Sequence, residues 1–191
     1  MEALFISTGV VALAEIGDKT QLLAFILAAR FKKPLPIIAG ILYATLLNHG
    51  LAGALGAWIT SVVSPEIMRW ALGLSFIGMA IWTMIPDKIE EEETQIAKHL
   101  GVFGATFITF FLAEMGDKTQ IATIALAAHY GAPLMVVIGT TLGMLVADVP
   151  AVFIGNKFAT KIPMKLVHSI AAGIFALMGL LTLLQVEKLF Q

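Results

Sequence analysis

Long apolar stretches dominate this chain, and polar breaks part them at intervals. Six stretches, at roughly 3–29, 34–60, 66–85, 100–128, 132–156 and 164–186, are each long enough to cross a bilayer, which takes about 20 helical residues. The breaks have chemical causes. Arg30-Phe31-Lys32-Lys33-Pro34 closes the first helix with charge and a proline. Ser64-Pro65-Glu66 parts the second from the third, Pro86 ends the third, and Tyr130-Gly131-Ala132-Pro133 ends the fourth. Lys157 to Pro163 separates the fifth from the sixth. Only 86–99 is continuously polar, with Glu90, Glu91, Glu92 and Glu93 in a row. The pattern predicts an all-α membrane protein of six transmembrane helices. Residues 1–85 form a first three-helix unit, 86–99 an acidic linker, and 100–191 a second three-helix unit.

The two units are one sequence written twice. Glu15-Ile-Gly-Asp-Lys-Thr-Gln21 and Glu114-Met-Gly-Asp-Lys-Thr-Gln120 agree at six of seven positions, 99 residues apart. At the same offset Leu27-Ala28-Ala29 matches Leu126-Ala127-Ala128, and Pro34-Leu35 matches Pro133-Leu134. Gly40 matches Gly139, Gly56 matches Gly155, and Phe76 matches Phe175. Three crossings are an odd number, so the second unit must enter from the opposite face. This is an inverted-topology repeat, an arrangement common in secondary transporters, which bind substrate near the midplane between the halves.

Composition sets the class. Hydrophobic residues are 59% of the chain, charged residues 13%, and the mean hydropathy is +0.92. A soluble domain carries roughly a quarter charged residues. The net charge of −1 leaves no basic footprint for nucleic acid. With no cysteine there is neither a disulfide framework nor a thiolate site. Met1-Glu2-Ala3-Leu4 lacks the positive region of a cleaved signal peptide and reads as the start of the first span. Lysines and arginines outside the spans divide unequally. One face collects Arg30, Lys32, Lys33, Lys88, Lys98, Lys157, Lys161 and Lys165, and the other Arg69 and Lys188. The first face is then cytoplasmic, the acidic linker with it, and both termini lie outside the cytoplasm.

Against this background each heptapeptide puts two carboxylates and a lysine into a span, where charge costs about 2.5–3.5 kcal/mol per residue. On a continuous helix Glu15 and Asp18 share a face, Lys19 neutralises Glu15 from one turn away, and Gln21 adds an amide oxygen. Thr20 would lie on another face, and Gly17 would allow close backbone approach or unwinding. Glu114, Asp117, Lys118, Gln120, Thr119 and Gly116 repeat the scheme. Brought together, Glu15, Asp18, Glu114 and Asp117 make an oxygen cage suited to Mn2+ or Ca2+, with Gln21 and Gln120 as further ligands. Four carboxylates and two lysines leave a charge of −2, which a divalent cation balances. Desolvated carboxylates without the metal should take up protons, so metal and proton compete for one site. The plainer reading is a structural ion pair in each half, which would leave the extra Asp and Gln unexplained.

Other polar residues in the spans are weaker candidates. Asp148 reads as an accessory ligand, a proton relay or an interhelical hydrogen bond, and Asn48 as an accessory or interhelical group. His49 reads as packing or hydrogen bonding, and His99, His129 and His168 as interfacial. The Glu90–Glu93 run reads as a solvated linker or a gatherer of cations. Three other functions are weighed. An organic-solute exporter would need fewer carboxylates, a channel would need no proton-titratable site, and an intramembrane protease would need a water-activating pair that the lysine-matched acids do not resemble.

The motifs Glu15-Ile-Gly-Asp-Lys-Thr20 and Glu114-Met-Gly-Asp-Lys-Thr119 resemble the E-x-G-D-[KR]-[ST] signature of a cation/proton exchanger family. Its members include Golgi calcium/manganese–proton exchangers of eukaryotes and bacterial manganese exporters. The resemblance covers nearly the whole chain. It implies export of Mn2+, or of Ca2+, from the cytosol against protons, with the signature carboxylates at Glu15, Asp18, Glu114 and Asp117. It implies no enzymatic activity and no cofactor; the partners are the metal ion, protons and the lipid bilayer. Short loops look like those of the bacterial members and imply the bacterial inner (plasma) membrane.

Overall fold

The computed structural model describes residues 1–85, 100–154 and 164–184, and every element among them is helical. The predicted linker 86–99, with its glutamates and His99, falls outside the described residues, as do Gly155, Lys157, Lys161 and Lys188. The helices are α1 (Glu2–Glu15), α2 (Lys19–Phe31), α3 (Pro34–Val62), α4 (Pro65–Thr83), α5 (Val102–Glu114), α6 (Lys118–Tyr130), α7 (Pro133–Ile154) and α8 (Met164–Leu184). Prolines open α3, α4 and α7 at the first helical residue, where the missing N–H loses nothing. The first and fourth apolar stretches, expected as single helices over 3–29 and 100–128, are each two helices. The reason is local: Gly17 and Gly116 take φ of 86° and 79°, which no continuing α-helix allows. The described chain therefore has eight helices where six spans were expected, and each half runs broken helix, long helix, helix.

Packing is mostly between the halves. α1 lies along α7, α3 along α5 and α6, and α4 along α8. A Cβ on Gly139 would come 2.6 Å from the Leu4 carbonyl oxygen, and one on Gly143 2.6 Å from that of Thr8. Contacts thus rise together along both chains, and α1 and α7 run parallel. α3 and α5 also run parallel: Gly40 meets Thr106, and Asn48 further along meets Phe111. Small residues at these crossings let backbones touch where no water is available to drive association.

Apolar side chains also cover the outside. Trp58, Phe153, Leu134, Leu74 and Ile81 are all more than half exposed. A soluble protein rarely leaves so much apolar surface uncovered. α3 and α7 are each long and apolar enough to cross a membrane by length and composition. The inside is where the polarity lies: Glu15, Asp18, Glu114, Asp117, Lys118, Asp148, His49 and Asn48 are all at most 4% exposed.

Candidate metal site

Both heptapeptides fold as a helix end, a three-residue break and a helix start. Glu15 is the last residue of α1 and Asp18 the N-cap of α2, with ψ of 170°. Glu114 closes α5 and Asp117 caps α6, with ψ of 167°. The expectation that Glu15 and Asp18 share a helix face therefore fails, because the break swings the backbone between them. Each aspartate instead sits at the positive end of a half-helix, where negative charge is favoured.

The break is braced by its own motif. The Gly17 N–H donates to Gln21 Oε1 at 2.9 Å, and Gln21 Nε2 donates to the Ala147 carbonyl at 2.9 Å. In the other half the Gly116 N–H donates to Gln120 Oε1 at 2.8 Å, and Gln120 Nε2 donates to Asn48 Oδ1 at 3.4 Å. The amide oxygens expected to face an ion are thus engaged by backbone. Thr20 and Thr119, expected on another face, donate to Glu15 Oε2 at 2.5 Å and Glu114 Oε2 at 2.9 Å. The break turns these hydroxyls back toward the preceding glutamate. Asn48 also donates to the Phe111 carbonyl at 3.0 Å, joining α3 to α5.

The lysines depart from the helical expectation as well. Lys118 reaches across to the first motif. Its Nζ lies 2.6 Å from Asp18 Oδ1 in the other half. Lys19 opens α2 as Lys118 opens α6, but it is half-buried where Lys118 is buried.

Three carboxylates converge: one oxygen each from Glu15, Glu114 and Asp117 lies within 4.8 Å of the others. Glu15 Oε1 and Glu114 Oε1 are buried without a hydrogen-bond partner. So are both oxygens of Asp148. Oxygen donors left unmet at close quarters suit a hard or borderline divalent cation. Asp18 lies near the same group, tied to Lys118.

Two residues read from sequence as packing or interfacial lie at the motifs. His49 is fully buried with Nε2 3.9 Å from Glu114 Oε2. It stands at the position matching Asp148, and that match was the available signal. His168 on α8 donates from Nε2 to the Ile16 carbonyl in the first break at 3.0 Å. No sequence signal marked that contact, because it joins residues 152 apart.

The family profile described as divalent cation/proton antiporter GDT1 matches residues 3–91 and 102–189. A Vibrio cholerae protein named "Putative manganese exporter" is 54% identical over 183 residues, covering 95% of this chain and 90% of that one. "GDT1-like protein 3" of Oryza sativa subsp. indica is 31% identical, covering 91% of this chain and 71% of its own length. "GDT1-like protein sll0615" of Synechocystis is 30% identical, covering 90% and 92%. No solved structure matches the chain.

Proposed function

The chain belongs to the GDT1 family of divalent cation/proton antiporters, and from that premise we propose that it exports Mn2+ from the cytosol in exchange for protons. The family is one of transporters. The observation that carries the proposal is the convergence of Glu15, Glu114 and Asp117 within 4.8 Å at the two helix breaks. Asp18 and Asp148 complete the acidic set. Gln21, Gln120, Thr20 and Thr119 shape the breaks, and Asn48 braces one of them. The resemblance of the Vibrio cholerae protein favours Mn2+ over Ca2+ as cargo. Antiport of Ca2+ by the same route is the second reading, since carboxylate oxygens accept both ions.

The two halves act as inverted repeats that alternate access around this site. The parallel runs of α1 with α7 and of α3 with α5 support that reading. The short Lys32-Lys33 link turns α2 back into α3, and Gly131-Ala132 does the same between α6 and α7. The protein sits in a bacterial inner membrane with both termini outside the cytoplasm, as the uneven lysines and arginines favour. Metal and protons compete for the same oxygens. Release of the metal outward and entry of protons in its place keep the reorienting site close to neutral. Two protons in place of one divalent cation would leave the net charge of the site unchanged. Vesicles loaded with Mn2+, Ca2+, Mg2+ or Zn2+ under an imposed proton gradient test the cargo and the coupling together.

A further inference from the structure

The pseudo-symmetry of the site is broken at one pair of positions. Residue 148 in α7 is an aspartate, and its counterpart 99 residues earlier in α3 is His49. Each is fully buried, and each adjoins a motif: Gln21 Nε2 donates at 2.9 Å to the carbonyl of Ala147, next to Asp148, and His49 Nε2 lies 3.9 Å from Glu114 Oε2. Neither ring nitrogen of His49 has a hydrogen-bond partner. A buried imidazole that makes no hydrogen bond forgoes favourable contacts and is uncommon. Its position suits an ion rather than a protein group. Donors on opposite sides of a transition-metal ion, each about 2.0–2.2 Å from it, stand about 4 Å apart. Thr45, one turn earlier on α3, also keeps a buried hydroxyl without a partner.

We propose that His49 is the specificity-determining ligand of the site, adding one nitrogen donor that favours first-row transition-metal cations over Ca2+ and Mg2+. The inference rests on the reading of the acidic cluster as the cation site. Carboxylates alone do not separate Mn2+ from Ca2+, because both take oxygen ligands. Imidazole does, since Ca2+ and Mg2+ are hard ions that bind oxygen and the transition metals accept nitrogen. A symmetric site with aspartate at both positions would offer oxygen alone. Replacing one of the two by histidine also removes a negative charge, which lowers the affinity for any divalent cation while sparing those that bind nitrogen.

The test uses the purified full-length protein with Mn2+ as the paramagnetic probe. Pulsed electron paramagnetic resonance should show nitrogen hyperfine coupling to bound Mn2+, and heavy-nitrogen histidine should change it. The coupling should vanish in His49→Gln. Titration of Mn2+ and Ca2+ should show the affinity ratio falling by about tenfold or more in His49→Gln and His49→Asp. The wild-type spectrum decides the matter even if a variant fails to fold: saturating Mn2+ without nitrogen coupling overturns the inference. A ratio unchanged in a folded His49→Gln protein overturns it too. Glu114→Gln separates this from failure of the underlying reading. If that variant loses Mn2+ binding while wild type lacks nitrogen coupling, the acidic site stands and only the role of His49 falls. If Glu114→Gln binds Mn2+ normally, both fall.

Discussion

Lys118 of the second motif lies 2.6 Å from Asp18 of the first, Nζ to Oδ1, with both side chains shut away from the surface. The pair joins the two halves at the level of their helix breaks. Removing one member of a buried ion pair destabilises by about 3–5 kcal/mol, because the other charge stays behind. Lys118→Met should therefore lower the thermal midpoint in detergent and reduce transport. Lys19→Met, at a half-buried position, should do so less. Equal effects of the two substitutions would contradict the asymmetry.

Glu15→Gln, Asp18→Asn, Glu114→Gln and Asp117→Asn should each cut metal transport by about tenfold or more, and Asp18→Asn alone should also lower the thermal midpoint, because it leaves Lys118 without its buried partner. Each change removes one negative charge from a site that must balance a divalent cation. Transport assays beside circular dichroism check this. Near-normal transport in any two of the four would show the cage wrongly assigned.

Gly116→Ala probes the break itself. Space is no obstacle, since nothing lies within 4 Å of the added Cβ, but φ of +79° costs an L-residue about 1–2 kcal/mol. The variant should unfold at lower temperature and transport more slowly as the break shifts. An unchanged unfolding profile would mean that the break relaxes without strain.

Gly139→Ala probes the seam between α1 and α7. The new Cβ would meet the Leu4 carbonyl oxygen at 2.6 Å, and backbone cannot rotate away. Forced separation of packed helices costs about 1–3 kcal/mol. Gly9→Ala, with nothing within 4 Å, is the matched control and should be close to neutral. Thermal unfolding of the two variants gives the comparison.

Hydropathy and turn residues marked most helix ends well. The stretches expected at 34–60 and 66–85 form helices at Pro34–Val62 and Pro65–Thr83, because prolines and charges set their limits. The breaks inside the first and fourth stretches were legible only as one of two readings of Gly17 and Gly116, close backbone approach or unwinding. Apolar residues flank each motif on both sides, and a lone glycine is compatible with either a helix or a turn. Once the helix breaks, spacing rules of three and four residues no longer say which side chains meet. That is why Lys118 was assigned to Glu114 and is found at Asp18, and why Thr20 was turned away from Glu15 and is found bonded to it. The carboxylates were legible as a group, because charge within apolar sequence stands out. His49 was not, since an uncharged ring gives no such contrast, although its match to Asp148 at the repeat offset was there to be read.

The central claim is exchange of metal for protons at the paired motifs, and flux in proteoliposomes tests it most directly. With equal Mn2+ on both sides, an imposed proton gradient should drive Mn2+ uphill, opposite to the proton flow. A protonophore should abolish that accumulation, raised pH on the proton-donating side should slow it, and Glu114→Gln should eliminate it. Mn2+ flux that follows only its own gradient, unchanged by the proton gradient, would contradict antiport and point to a uniporter or channel.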